Sequence, residues 1–228
     1  MNYKLTKRQI LEVVENRLKM NDVLIDEAYP ESFNIETFKN LKSFNERINY
    51  CNQHLQKIGA GSSRIVFKVD NDMVLKLAKN NKGVAQNESE FDIFKTAYYS
   101  GGLAAEVFEV DDRYLWIEME LAQKCKPSMF KQIVGVDFDT FGRYVMNYDF
   151  EMKGKRTPYR IEPNDEDIIA NSDFCMDIIN LMLETNLAAG DLIRISSYGV
   201  VNRDGENQIV LIDYGATDDI ISTYYSRK

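Results

Sequence analysis

The sequence holds a single histidine, His54, in 228 residues. One imidazole leaves no histidine-rich metal site and nothing from which to build a Ser-His triad. Its three cysteines, Cys51, Cys125 and Cys175, stand far apart and show no CxxC spacing. An odd, scattered set of thiols excludes a thiolate zinc cluster and suits a reducing compartment. No apolar run approaches the ~20 residues needed to cross a bilayer, and the opening MNYKLTKRQ lacks the apolar core of a signal peptide. The expected location is therefore cytoplasmic. Basic residues are outnumbered, 28 Lys and Arg against 36 Asp and Glu, for a net charge of −8 and a pI near 4.9. That balance argues against a broad nucleic-acid or anionic-membrane surface, while leaving room for a locally positive pocket.

What is present is ordinary globular material: 44% hydrophobic and 28% charged residues, with 13 Tyr and 12 Phe for packing. The length suits one large domain or two small lobes. The stretch from Leu55 to Ala78, LQKIGAGSSRIVFKVDNDMVLKLA, reads as strand, glycine turn, strand, tight turn at Asn71-Asp72, and strand. Its last strand carries Lys76 among Val74, Leu75 and Leu77. A lysine in so apolar a strand needs an anionic partner, because an uncompensated ammonium is costly to desolvate. Gly59 and Gly61 upstream let the backbone approach something closely. Together they point to a polyphosphate held between a backbone flap and Lys76.

Upstream, residues 6–20 read as a helix with Ile10, Leu11, Val14 and Leu18 on one side. A second helix is expected from about Asn34, with Ile35, Phe38, Leu41, Phe44, Ile48, Cys51 and Leu55 in helical register. This pair is either packed on a neighbouring lobe or offered to a protein partner as an apolar stripe. Downstream, a helix is expected over Val84 to Tyr99, stopped by Gly101-Gly102, with Phe91, Phe94, Ala97 and Tyr98 as its apolar stripe. Glu90 lies on that stripe and is the natural salt-bridge partner of Lys76, whereas Glu88 shares a solvated face with Asp92 and Lys95. Glu106–Val110 and Tyr114–Leu121 form a hairpin around Asp111-Asp112, which brings the count to five strands with one inserted helix. A helix is expected from Asp137 to Tyr148, a polar surface loop over 149–164, and a long helix from an Asn164 cap to about Thr185. Tyr198–Asn202 and Gln208–Ile212 pair around Asp204-Gly205, and the second strand runs directly into Asp213-Tyr214-Gly215.

In this order the motifs resemble the protein-kinase-like superfamily over residues 55–215. GAGSSRIV meets the glycine-loop pattern GxGxxGxV at Gly59, Gly61 and Val66, with Arg64 in place of the third glycine. Val74 and Lys76 match the strand whose lysine touches the α- and β-phosphates and pairs with a helix glutamate, here Glu90. Glu120 and Ala122, in Met119-Glu120-Leu121-Ala122, resemble the hinge whose backbone receives adenine. Asp191, in Ala189-Gly190-Asp191-Leu192, resembles the carboxylate that orients or deprotonates the acceptor hydroxyl. The Gly-Asp pair is closer to small-molecule phosphotransferases than to the His-Arg-Asp of protein kinases. Asp213 resembles the Mg²⁺-binding aspartate, and Ser196 takes the position of the second metal ligand, an asparagine in the family.

The resemblance implies an α+β, bilobal kinase-like fold. Its five-stranded antiparallel N-lobe sheet carries one inserted helix, and its reduced C-lobe is mostly helical. The expected division is a helical extension over 1–54, an N-lobe over 55–122 and a C-lobe over 123–228. ATP and Mg²⁺ are the implied cofactors, and phosphoryl transfer to an unnamed acceptor is the implied activity. Only ATDDIISTYYSRK follows Gly215, which leaves no long activation segment to hold a peptide. A compact chain of this kind is similar to small kinase-like proteins of bacteria and their phages, where it would work in host cytoplasm or on the particle. Arg64, Ser196 and the short end favour an alternative, a pseudokinase that serves as an interaction or assembly component. Adenylyl transfer by the same groups is a third.

Overall fold

The computed structural model describes residues 29–97, 102–203 and 205–225. The helix expected over residues 6–20 lies outside them, as do Tyr98, Gly101 and Asp204. The described residues fall into two compact units, one running to Lys95 and taking in Glu106–Leu121, the other made of Thr96–Ala105 and Ala122 onward.

The first unit begins with helices α1 (Ile35–Asn40) and α2 (Phe44–His54). Strands β1 (Gln56–Ala60), β2 (Arg64–Lys68) and β3 (Met73–Ala78) follow, then helix α3 (Asn81–Ala97) and strands β4 (Val107–Val110) and β5 (Trp116–Glu120). The strands form one antiparallel sheet in the order β1-β2-β3-β5-β4, with β3 at its centre and buried along its length. The α+β architecture, the five strands and the helix inserted after the third are those expected. Cross-strand pairing sorts the side chains by face. Val66 pairs with Lys76, Lys76 with Ile117, and Val74 with Met119, so these five share one face of the pleat. Phe67, Leu75, Leu77 and Trp116 occupy the other.

Helices α1 and α2 cover that second face. Phe38 and Cys51 are fully buried in one core with Phe67, Leu75, Leu77 and Trp116. Of the residues expected on the second helix's stripe, Leu55 is buried in this core as well, and Ile35, Leu41 and Ile48 pack against it. The single helix expected across 34–55 is two, because Ser43 forms a capping box with Glu46 and starts a new helix while Leu41 turns extended. The stripe of α3 also differs from expectation. Ile93 and Phe94 are buried, whereas Phe91 is only half-buried, with the Lys95 ammonium 4.6 Å from its ring centre.

The second unit holds β6 (Gln123–Lys124), α4 (Pro127–Val134), α5 (Phe138–Met152), α6 (Pro163–Ala170), α7 (Asp173–Thr185), α8 (Ala189–Leu192), β7 (Tyr198–Arg203), β8 (Glu206–Leu211) and α9 (Asp218–Tyr224). Helix α4 falls in a stretch to which no element was assigned from sequence. The long helix expected from Asn164 is again two. Pro163, not an Asn164 cap, starts α6 at its first turn, and the Ser172 hydroxyl accepts the Cys175 N–H to start α7. An aromatic cluster forms the core, with the Phe130 ring 5.1 Å from Phe138 and 5.4 Å from Phe141, and Tyr198 edge-on 5.6 Å from Phe138. Strands β6, β7 and β8 make a small antiparallel sheet. Gly199 on β7 has to be glycine, since a Cβ there would sit 2.4 Å from the Ala122 Cβ. No described helix is long and apolar enough to cross a membrane.

Candidate functional site

In the first unit the structure brings Lys76 and Glu90 together. The Lys76 ammonium lies 2.9 Å from Glu90 Oε2, and the Glu90 side chain is fully buried. Helix geometry places this carboxylate, because Glu90 falls in register with buried Asn87 and Phe94 on the sheet-facing side of α3 while Glu88 faces solvent. Arg64, which stands in place of the third glycine, reaches the same carboxylate. Its guanidinium forks onto Glu90, with Nη1 2.6 Å from Oε2 and Nη2 3.4 Å from Oε1. Glu90 is thus shared by two cations from neighbouring strands.

The glycine turn differs from a loose flap. Gly59 lies in β1 next to an irregularity in the β1–β2 register, where a Cβ would make an ordinary 3.7 Å contact with Val66. Gly61 closes the turn by donating its N–H to the Arg64 carbonyl at 2.9 Å. Neither glycine has a left-handed backbone, and a Cβ at Gly61 would meet nothing nearer than the Arg64 carbonyl at 4.0 Å. The chain itself does not require glycine there. The turn is pinned from below: Lys79 Nζ donates to the Gly61 carbonyl at 2.9 Å, Lys82 Nζ to Ser62 Oγ at 2.8 Å, and the Ser63 hydroxyl to Gln86 Oε1.

Val66 and Val74 lie on the face that carries Lys76, as a wall for an adenine ring would require. At the end of β5 the Glu120 N–H donates to the Glu106 carbonyl at 2.8 Å, and a Glu120 carboxylate oxygen accepts the Glu106 N–H at 3.1 Å. The Glu120 N–H is thus committed to Glu106. Ala122 opens the second unit, against Gly199.

In the second unit two loops brace each other. The Ala188 N–H donates to the Ala216 carbonyl at 3.0 Å, and Leu187 pairs with Thr217. This ties the short helix α8, which carries Asp191, to the segment just after Asp213-Tyr214-Gly215. Tyr198, its hydroxyl kept neutral by complete burial, donates to the Leu192 carbonyl at 2.8 Å and fixes the other end of α8. The Ile212 N–H donates to the Ser197 carbonyl at 2.8 Å, bringing the 3₁₀ turn Ile195–Ser197 beside the strand end that leads into Asp213. Asp191 on α8, Ser196 on the 3₁₀ turn and Asp213 just past β8 therefore sit on braced segments of this unit. Asp213 and Ser196 are exposed, Tyr214 is fully buried, and the exposed Arg194 guanidinium stands 3.4 Å from Asp191. Arg194 and the Ser63–Gln86 bond escaped sequence reasoning. Arg194, three residues past Asp191, was visible there as a helix-spaced pair; the Ser63 bond has no local signal.

No family model matches the chain. No curated protein matches it either. Among solved structures it is similar to the streptomycin-ATP-APH(2")-IIa ternary complex, at 13% identity and a TM-score of 0.33, over 77% of this chain and 72% of that one. It is similar also to a choline/ethanolamine kinase family protein from Mesorhizobium loti, at 19% identity and a TM-score of 0.30, over 70% of this chain and 57% of that one. At scores this low neither match adds weight to the geometry.

Proposed function

We propose that the protein is an ATP- and Mg²⁺-dependent phosphotransferase of kinase-like fold. The observation that carries this is the ion pair between Lys76 on the central strand and Glu90 on the inserted helix, 2.9 Å apart and buried. Burying such a pair costs several kcal/mol of desolvation, which a merely stabilising role does not readily repay. A fixed ammonium on the sheet face that also carries Val66 and Val74 suits phosphate oxygens. Asp213 and Ser196 offer the hard oxygen donors that suit Mg²⁺, an ion usually held by one or two protein oxygens together with the phosphates. Held by Asp213 and Ser196, Mg²⁺ would neutralise charge on the phosphates.

The chain's own residues then divide the work. Lys76, held by Glu90, contacts the α- and β-phosphates, and Val66 and Val74 wall the base. The Glu120 carbonyl and Ala122 N–H pair with adenine. The Asp191 carboxylate accepts the hydrogen bond of an acceptor hydroxyl and takes its proton as that oxygen bonds to the γ-phosphorus; the bond from this phosphorus to the β–γ bridging oxygen breaks and ADP leaves, with Arg194 steadying the carboxylate. Exposed Ser196, in the place of an amide ligand, favours the second reading, a pseudokinase that has kept the fold for assembly.

Thermal melting with and without Mg-ATP separates the two readings. The wild type should be stabilised by ~3 kcal/mol at a hundredfold excess over Kd. Lys76→Ala and Asp213→Ala should lose that shift, while Asp191→Ala keeps the shift and loses turnover. A wild type that does not respond to Mg-ATP overturns the phosphotransferase reading.

A further inference from the structure

Over its first half, the face of α3 that meets the sheet is polar. Gly83, Gln86, Asn87 and Glu90 follow one another at helical spacing, and all four are buried. Two of them meet Ser63, and the other two reach different strands and turns of the unit. Gly83 packs under the Ser63 carbonyl, Gln86 accepts the Ser63 hydroxyl, and Asn87 donates to the Tyr114 carbonyl of the β4–β5 turn at 2.9 Å. Glu90 takes Lys76 from β3 and Arg64 from β2.

We infer that Arg64 is a positioning residue: it holds Glu90, and through it α3, against the sheet, so that the Lys76 ammonium stays where a nucleotide's phosphates would meet it. A lysine alone is a rotatable point donor, and a carboxylate held only by it retains freedom to swing. A guanidinium is a planar fork that fixes both oxygens. The Arg64 side chain is only 9% exposed, so its hold on Glu90 is little weakened by water. With Arg64 in place, lifting the 60–63 turn from α3 means breaking the Ser63–Gln86 and Ser62–Lys82 bonds together. The helix and the turn move as one body or not at all.

The nucleotide clause rests on the phosphotransferase reading; the clamp on α3 does not. Two measurements on the full chain separate them, hydrogen exchange of the α3 amides and calorimetric binding of Mg-ATP and of adenosine. In Arg64→Gln the amides from Gln86 to Phe94 should exchange ~tenfold faster than in wild type while those of the second unit stay unchanged. Mg-ATP affinity should fall ~tenfold with adenosine affinity unaltered, because only the phosphates need Lys76 in place. Arg64→Lys keeps the charge without the fork and should recover only part of both effects. It also carries the comparison if Arg64→Gln does not fold. Unchanged α3 exchange, or equal losses of ATP and adenosine binding, overturns the inference. A wild type that binds neither ligand removes the phosphotransferase reading and leaves the exchange result to decide whether Arg64 holds α3.

Discussion

Gly83 lies so close beneath Ser63 that no side chain fits between them: a Cβ on Gly83 would stand 2.3 Å from the Ser63 carbonyl oxygen. Replacing a helix glycine by alanine ordinarily stabilises by about 0.5–1 kcal/mol. Here the new methyl also meets the Ala78 Cα at 3.0 Å, and Ser63 is held by the Lys79 N–H at 2.7 Å, so neither neighbour can yield. Gly83→Ala should therefore destabilise by ~1–3 kcal/mol, a fall of roughly 5 °C in Tm, measured by calorimetry.

Gly61 makes the opposite case. Its backbone is ordinary and a Cβ there would meet only the Arg64 carbonyl at 4.0 Å, so Gly61→Ala should change stability by no more than ~0.5 kcal/mol. If the turn lies over phosphates, the same methyl intrudes on them. Mg-ATP affinity should then fall severalfold at an unchanged apo Tm. Equal affinity in both proteins would make this glycine incidental to binding.

These two glycines also mark what was legible in the sequence. The pattern GAGSSRIV announced a turn, and period-2 apolar residues around Asn71-Asp72 announced β2, β3 and the placement of Lys76. Helical register put Glu90 on the inner side of its helix. Two long helices were misjudged for one reason. Phe38, Leu41, Phe44 and Ile48 keep helical spacing across a break, and so do the apolar residues flanking Asn171-Ser172, because consecutive helices lie on the same core. The informative signals were the caps inside those runs, Ser43 with Glu46 and Ser172. The entry of Arg64 into the Lys76–Glu90 contact was not legible, since the Arg64 side chain is directed by Glu90, 26 residues further along the chain.

Tyr29 donates its hydroxyl to Glu118 inside the core that α1 and α2 make with the sheet. Burial, then the Glu118 charge, holds the phenol well above its ordinary pKa, so it stays a donor at any physiological pH. Tyr29→Phe should cost ~1–3 kcal/mol by removing a donor from a buried carboxylate. Glu118→Gln in the same chain should recover part of the loss, a coupling that a double-mutant cycle measures. Trp116, the sole tryptophan and 1% exposed in that core, reports the unfolding by fluorescence. Additive losses would mean that the pair is not energetically coupled.

Cys51 gives the first unit an alkaline limit. Burial pushes its thiol up to about 12 from an ordinary 9.0, against the smaller opposing effect of Arg47. In the unfolded chain the thiol ionises first, so between those two values the folded state binds more protons and stability falls as pH rises. The contribution is fully present below about pH 9 and is lost as pH climbs toward 12. Cys51→Ala removes this dependence and leaves a small cavity, costing ~1 kcal/mol or more at neutral pH. The stability gap between wild type and variant should therefore narrow as the pH of urea denaturation is raised from about 7 to about 10.5. Cys175 and Tyr198 also carry raised values, but they are present in both proteins and cancel in the difference. A gap that stays constant over that range would mean the Cys51 thiol titrates as it does in water, and that the core around Phe38 and Phe67 admits solvent.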